Sequence, residues 1–243
     1  MRSRLIYLCL LGTLSACTMS LRDGSGLLSG VPDSAYLAMA RLQFVVTALR
    51  QGQHADVLAT VPNGVCPSGV DRLLCDSVAS LTVEQRNFLV AFLHSSVSSL
   101  EGMLPAMMDR LEASEDAAFM RNGNGESVAG KTALGPSGNI YLYSPIVRQY
   151  SEARMMALLG HEMLHKADSN LGTWLKDFDT YGPFVGHALA DRAGAALTLV
   201  SAVISPFDPN CPEILVSQSD ARVFYAAYSP VHQTGRASAC GRG

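Results

Sequence analysis

The feature that most constrains this chain is a five-residue run, His161-Glu162-Met163-Leu164-His165, at the end of an apolar stretch that begins at Met155. Residues four apart share one face of a helix, so a helix here turns both imidazoles toward a single point. Two neutral imidazoles converging on one point form a divalent-cation site, and zinc suits that donor set. Glu162 directly follows the first His. It is offset from the ligand face and suited to reach a water beside the ion rather than the ion itself. Zinc brings the pKa of such a water toward neutrality. Glu162 is then the expected general base that takes the proton, and the acid that returns it to a leaving amine. The competing reading is a chance pattern on a solvated helix face, which predicts no bound metal. Against it stands the apolar setting, in which unpaired charge is costly.

The rest of the chain reads as mostly helical. Asp33 or Ser34 caps a helix to about Arg50, with Tyr36, Leu37, Ala40, Phe44 and Val45 on its apolar side. Gln51 to Asp76 carries Pro62, Asn63-Gly64, Pro67 and Gly69 and reads as an irregular loop. Thr82 and Gln85 form a capping box opening a helix toward Leu100, and a second helical stretch is expected from Leu104 to Ala113 with Pro105 in an early turn. Arg121 to Gly138 is rich in Gly, Asn and Ser, which makes it a loop and, on composition, a candidate lid. Asn139 to Tyr143 is the best strand candidate. Ser151 then caps the helix that carries the motif, with Glu152 in its first turn. Asn170 to Pro183 reads as a loop, Phe184 to about Ile204 as a long helix ended by Pro206, and Asp220 to Tyr228 as a last helix.

The expected fold is therefore mostly α (α+β) with a small sheet. One domain spans 34–243, with a helical N-terminal part over 34–120 and a metal-site part over 135–230. Hydrophobic residues make up 48% of the 243 and aromatics 7%, so Ala, Leu and Val dominate, which suits helices. Charged residues are only 16% and the formal net charge is −3. That balance gives no basic face for nucleic acid and too little acidity for a disordered chain.

The N-terminus carries an export pattern. Arg2 and Arg4 precede a short apolar run, Leu5 to Leu14. It is too short to span a bilayer comfortably and reads as part of a signal peptide over residues 1–16. Leu14-Ser15-Ala16-Cys17 resembles the bacterial lipobox. The resemblance implies cleavage before Cys17, a lipid on Cys17 and anchoring in a bacterial cell envelope. Thr18 in place of Asp implies the outer membrane, facing the periplasm. An ordinary signal peptide with Cys17 incidental is the alternative. Cleavage removes two of the 18 basic residues and none of the 21 acidic ones, taking the net charge from −3 to −5. Residues 17–33 read as a flexible tether between lipid and domain. Outside Cys9 and Cys17, four cysteines remain, and they permit three pairings. Cys66–Cys75 and Cys211–Cys240 are expected, each pair lying on one side of the central motif, and a periplasmic location permits both. A zinc site of all four is disfavoured because no CxxC spacing occurs.

Two imidazoles do not complete a catalytic zinc site, which takes three protein ligands and a water. A strand followed by a helix bearing His161-Glu162-x-x-His165 resembles the zincin metallopeptidases, in which an edge strand holds an extended substrate. The metzincin extension would need Gly at 168 and His at 171 and meets Asp168 and Leu171 instead. Gly186-His187-Ala188-Leu189-Ala190-Asp191 resembles the second zinc helix of the gluzincins. In the branch that includes the CAAX-prenyl-protease-like enzymes, that helix reads Glu-x-x-Ala-Asp. Ala190-Asp191 match, and His187 stands at the Glu position. The resemblance covers roughly residues 151–196. It implies a zincin-like domain, a single zinc ion held by His161, His165 and His187, and Asp191 hydrogen-bonded to a ligand imidazole. It also implies hydrolysis of an amide bond in a peptide or protein substrate. Imidazole is an equally good zinc ligand, so the exchange is chemically acceptable, and Asp191 shares a helix face with His187. The bland alternative for His187 is an ordinary histidine near a helix N-terminus.

A rival third ligand lies in Asp177-Phe178-Asp179-Thr180-Tyr181-Gly182, which loosely resembles the aspzincin signature. For the spacing to Tyr181, Asp177 is one residue too far and Asp179 one too near. Under either model Tyr181 is a candidate donor to a developing oxyanion, against the alternative of a loop Tyr that packs on the domain. Asp168 is a further candidate ligand, but three residues after His165 it reads rather as a surface charge. The other class of function keeps the lipid anchor and discards catalysis, giving an envelope binding or scaffolding protein whose metal site is structural or degenerate.

Overall fold

The computed structural model describes residues 30–52, 66–67, 69–133, 138–168 and 180–204. In chain order these form α1 (Asp33–Arg50), α2 (Arg72–Ala79), α3 (Val83–Met107), a 3-10 turn (Met108–Arg110), β1 (Leu111–Ser114), β2 (Gly130–Thr132), β3 (Ile140–Tyr143), α4 (Ser144–Val147), α5 (Glu152–Ala167), β4 (Thr180–Tyr181), β5 (Phe184–Val185) and α6 (Ala188–Ile204). The described residues are thus mostly helical with a small mixed sheet. None of their helices is long and apolar enough to cross a membrane. Cys17, Cys211, Cys240, Asp177, Asp179 and the helix expected at 220–228 lie outside the described residues.

Two helix starts follow from their caps. Gln85 N donates to Thr82 Oγ1 and Thr82 N to Gln85 Oε1, so the capping box opens α3. Arg154 N donates to Ser151 Oγ at the start of α5. Helix α1 differs from expectation. Pro32 is its N-cap with no side-chain cap bond, and Asp33 is its first helical residue. Nor is α1 apolar on one side only. Ala38, Met39, Leu42 and Val46 are as buried as Tyr36 and Val45, because α3, α5 and α6 all pack against it.

Five stretches depart from the sequence reading. The segment read as loop to Asp76 contains the first part of α2, which starts where Leu73 N donates to Asp71 Oδ1 and which buries Cys75 and Val78. Cys75 is disulfide-bonded to Cys66. The helix expected over Leu104 to Ala113 is the end of α3, with Pro105 inside it, and Leu111–Ser114 is strand β1. Pairing with β3 overrides the helical propensity of Leu, Glu and Ala there. The Gly-rich stretch read as a loop and candidate lid contains β2. Its Asn122 Oδ1 accepts from Asn124 N and Glu126 N, and Met120 beside it is fully buried. Finally, Thr180–Tyr181, read as loop, and Phe184–Val185, read as helix, are paired strands of a hairpin with Gly182 in its turn and Gly186 just after it, both at positive φ.

The sheet order is β1-β3-β2, with β1 parallel and β2 antiparallel to β3. The strand that precedes the motif helix is therefore the middle one, and the edge strand packed on α5 is β2. Leu111 in the first expected part pairs with Ile140 in the second, so the sheet joins the two. The end of the expected tether also packs on the domain. Val31 is buried, and a Cβ on Gly30 would stand 2.7 Å from Ala113 Cβ.

Candidate metal centre

Helices α5 and α6 build the centre. They approach until backbone meets backbone: a Cβ on Gly194 would lie 2.3 Å from Ala157 O and 3.0 Å from His161 N, and one on Gly160 3.1 Å from Gly194 Cα. This contact lies one residue before His161 and three after Asp191, so it sets how far apart those two side chains start. His161 Nδ1 then lies 2.8 Å from Asp191 Oδ1. A carboxylate in front of Nδ1 keeps the proton on that nitrogen and leaves Nε2 as a lone pair. His161 Nε2 lies 2.9 Å from His165 Nε2, which in turn lies 3.1 Å from His187 Nδ1. His187 precedes α6, its carbonyl accepting from Asp191 N at 3.0 Å.

One ligand atom from each of the three imidazoles lies within 4.8 Å of the others. Nitrogens this close need a proton or a cation between them. Zinc–nitrogen bonds of about 2.0–2.1 Å in a tetrahedral site put ligand nitrogens roughly 3.3 Å apart, so the residues fit such an ion. His161 and His165 are partly buried and His187 is exposed, which leaves the solvent side beside His187. Burial opposes a charged His161, but the Asp191 hydrogen bond and the charges of Glu162 and Asp191 outweigh it and raise its pKa. Burial likewise pushes the Asp191 carboxyl up, and the hydrogen bond and charge of His161, helped by His187 and Arg192, bring it below its ordinary value. The two shifts are reciprocal: the carboxylates favour positive charge on His161, and His161 with its cationic neighbours favours negative charge on Asp191.

Glu162 is 4% exposed and lies beneath β2. Thr132 Oγ1 donates to its Oε2 at 2.5 Å. Gly130, two residues earlier on the same face, makes room: a Cβ there would stand 2.6 Å from Glu162 Oε1. Lys166 Nζ donates to Ala133 O and Gly138 O, which ties the end of β2 and the approach to β3 onto α5. Burial and the charge of Arg110 lower its pKa, with Glu162 opposing.

Of the residues singled out from sequence, the structure brings together His161, His165, His187 and Asp191, with Glu162 on the same helix. Tyr181 OH donates to Asp168 Oδ2 at 2.9 Å, so Asp168 is a partner in the fold rather than a bare surface charge. Thr132 and Gly130 were not singled out. They fall in a stretch whose Gly, Asn and Ser content signals a loop, and a three-residue strand is too short for periodicity to reveal. No protein-family model matches the chain, and no curated protein or solved structure does either.

Proposed function

We propose that this chain is a zinc-dependent metallopeptidase with a zincin-like site, tethered to the bacterial cell envelope through Cys17. The observation that carries the reading is the convergence of three imidazole nitrogens at 2.9 and 3.1 Å, with Asp191 behind one of them. His161, His165 and His187 would hold the ion. When bound, zinc supplies Lewis acidity toward a carbonyl and a water of lowered pKa. The chain's own residues do the rest. Asp191 fixes the tautomer and orientation of His161. Thr132 holds one oxygen of Glu162, leaving the other to take a proton from water and later return it to the leaving amine. The substrate is a peptide or protein.

The burial of Glu162 under β2, with one oxygen already engaged, favours a second reading. In it the site holds metal without hydrolysing anything, as in a binding or scaffolding lipoprotein. One experiment separates the two. Zinc per chain is measured by elemental analysis for the parent, His161→Ala, His187→Ala and Glu162→Gln, and each protein is assayed on a peptide library. The peptidase reading expects about one zinc in the parent, loss of zinc in both His variants, and full zinc but no cleavage in Glu162→Gln. Zinc with no cleavage by the parent leaves the non-catalytic reading. No zinc after reconstitution ends both.

A further inference from the structure

The three ligands do not arrive by the same route. His161 and His165 ride on α5, whereas His187 follows the β4–β5 hairpin by two residues. His187 is held on its C-terminal side by the bond from Asp191 N to its carbonyl; a lone two-stranded hairpin is at best marginally stable, so its N-terminal side depends on what fixes the hairpin. Much of that fixing is to α3. The Tyr181 ring meets Phe88 and Phe92 edge-on at 6.0 and 5.9 Å, and Phe184 lies 6.1 Å from Phe88. Gln85 Nε2 donates to Pro183 O at 3.4 Å. Gly182, at φ 59°, lets Phe88 come so near that a Cβ would stand 2.3 Å from its ring. Anchoring to α3 reaches α5 only indirectly, through the packing of α3 on α5. A different contact joins the hairpin to α5 directly. Asp168 is the C-cap of α5, three residues after His165, and Tyr181 OH donates to its carboxylate at 2.9 Å.

We propose that the Asp168–Tyr181 hydrogen bond is a positioning pair that holds His187 in register with His161 and His165. The inference rests on the metal-site reading above. It moves Tyr181 from an oxyanion donor to a residue that acts through the hairpin, because its hydroxyl proton is committed to a carboxylate. A hydrogen bond to a charged acceptor is stronger than a neutral one. It ties the strand leading to the exposed ligand to the helix bearing the other two.

The test uses the full chain with Zn2+ alone, its affinity read by competition with a chromophoric chelator, and Co2+ alone, read by its visible absorption bands. The proteins are the parent, Tyr181→Phe, Asp168→Asn, Asp168→Ala and His187→Ala. Tyr181→Phe keeps the ring against Phe88 and Phe92 and removes only the hydroxyl. Zn2+ affinity is expected to fall on the order of 10-fold in Tyr181→Phe and Asp168→Ala. Their Co2+ bands shift toward those of His187→Ala, while Asp168→Asn, which keeps an acceptor oxygen, recovers most of the loss. Parent-like affinity and Co2+ bands in Tyr181→Phe overturn the pair, whether that variant melts lower or loses only cleavage. If the parent binds neither ion, the metal-site reading fails and the pair fails with it; if the parent binds and Tyr181→Phe matches it, only the pair fails.

Discussion

His161 has one ring nitrogen against Asp191 and the other facing His165. The Asp191 contact decides which nitrogen is available, so under the proposed metal-site reading Asp191 acts on metal affinity through His161. Replacing it by Ala frees the ring to rotate and to change tautomer, which costs on the order of 10–100-fold in Zn2+ affinity. The Asp191 side chain is 60% exposed but His161, which it faces, is 17% exposed, so its loss leaves a largely buried N–H without its acceptor and should lower folding stability by about 1 kcal/mol. Chelator competition and urea unfolding on the same protein check both halves. A large stability loss with unchanged affinity would make Asp191 an ordinary structural residue. At this scale the sequence was most legible where geometry is local. The His161–His165 spacing lies on one helix, and Asp191 is one turn from His187. Thr132 and Asp168 were not legible, because each gains its meaning from a partner brought near only by the fold, Glu162 and Tyr181 respectively.

The crossing of α5 and α6 depends on two glycines, and neither bends the chain. Gly194 and Gly160 are helical residues that matter for lacking a side chain. In Gly194→Ala the new methyl meets the Ala157 carbonyl at 2.3 Å, and backbone cannot step aside as a flexible side chain can. The expected result is a loss of about 2–3 kcal/mol in urea unfolding, with weaker zinc binding because His161 and Asp191 move apart. Gly102 is the control. It is also helical, in α3, but meets nothing within 4 Å, so Gly102→Ala should gain about 0.5–1 kcal/mol. Equal effects at the two sites would show that helix propensity, not the crossing, governs both. Elements with strong local signals were readable: the Thr82–Gln85 box, the Ser151 cap, the β-rich run before Tyr143. Those made by pairing were not. Leu111–Ser114 has a helical composition and becomes strand because Ile140–Tyr143 lies beside it. Phe184–Val185 is apolar enough to extend α6 and is instead turned back on Thr180–Tyr181.

Across the whole molecule, α1 is tied to the helix that carries the motif by an ion pair removed from the site, Arg41 Nε with Glu152 Oε1. Arg41 is 8% exposed, so this pair lies inside the packing of α1 against α5. Burial raises the pKa of Glu152 above its ordinary 4.5, and the charge and hydrogen bond of Arg41 only partly oppose it. For a carboxyl raised on folding, the native state holds the proton more tightly than the unfolded chain. Its contribution to stability is therefore full below pH 4.5 and is lost as pH rises through the higher folded value. Arg41→Met removes the opposing charge, which raises that folded value further and widens the window. At pH 7 the variant leaves a buried carboxylate without its cation and should lose on the order of 3 kcal/mol. Its deficit relative to the parent should shrink on acidification toward pH 4.5, because a protonated Glu152 no longer needs Arg41. In Arg41→Met combined with Glu152→Gln the group cannot ionise, so most of the loss at pH 7 should return and its pH dependence disappear. Urea unfolding of the parent and both variants between pH 4.5 and 8 checks the sign. A deficit that stays constant across that range would mean that Arg41 stabilises α1 through packing of its aliphatic stem, with Glu152 a bystander.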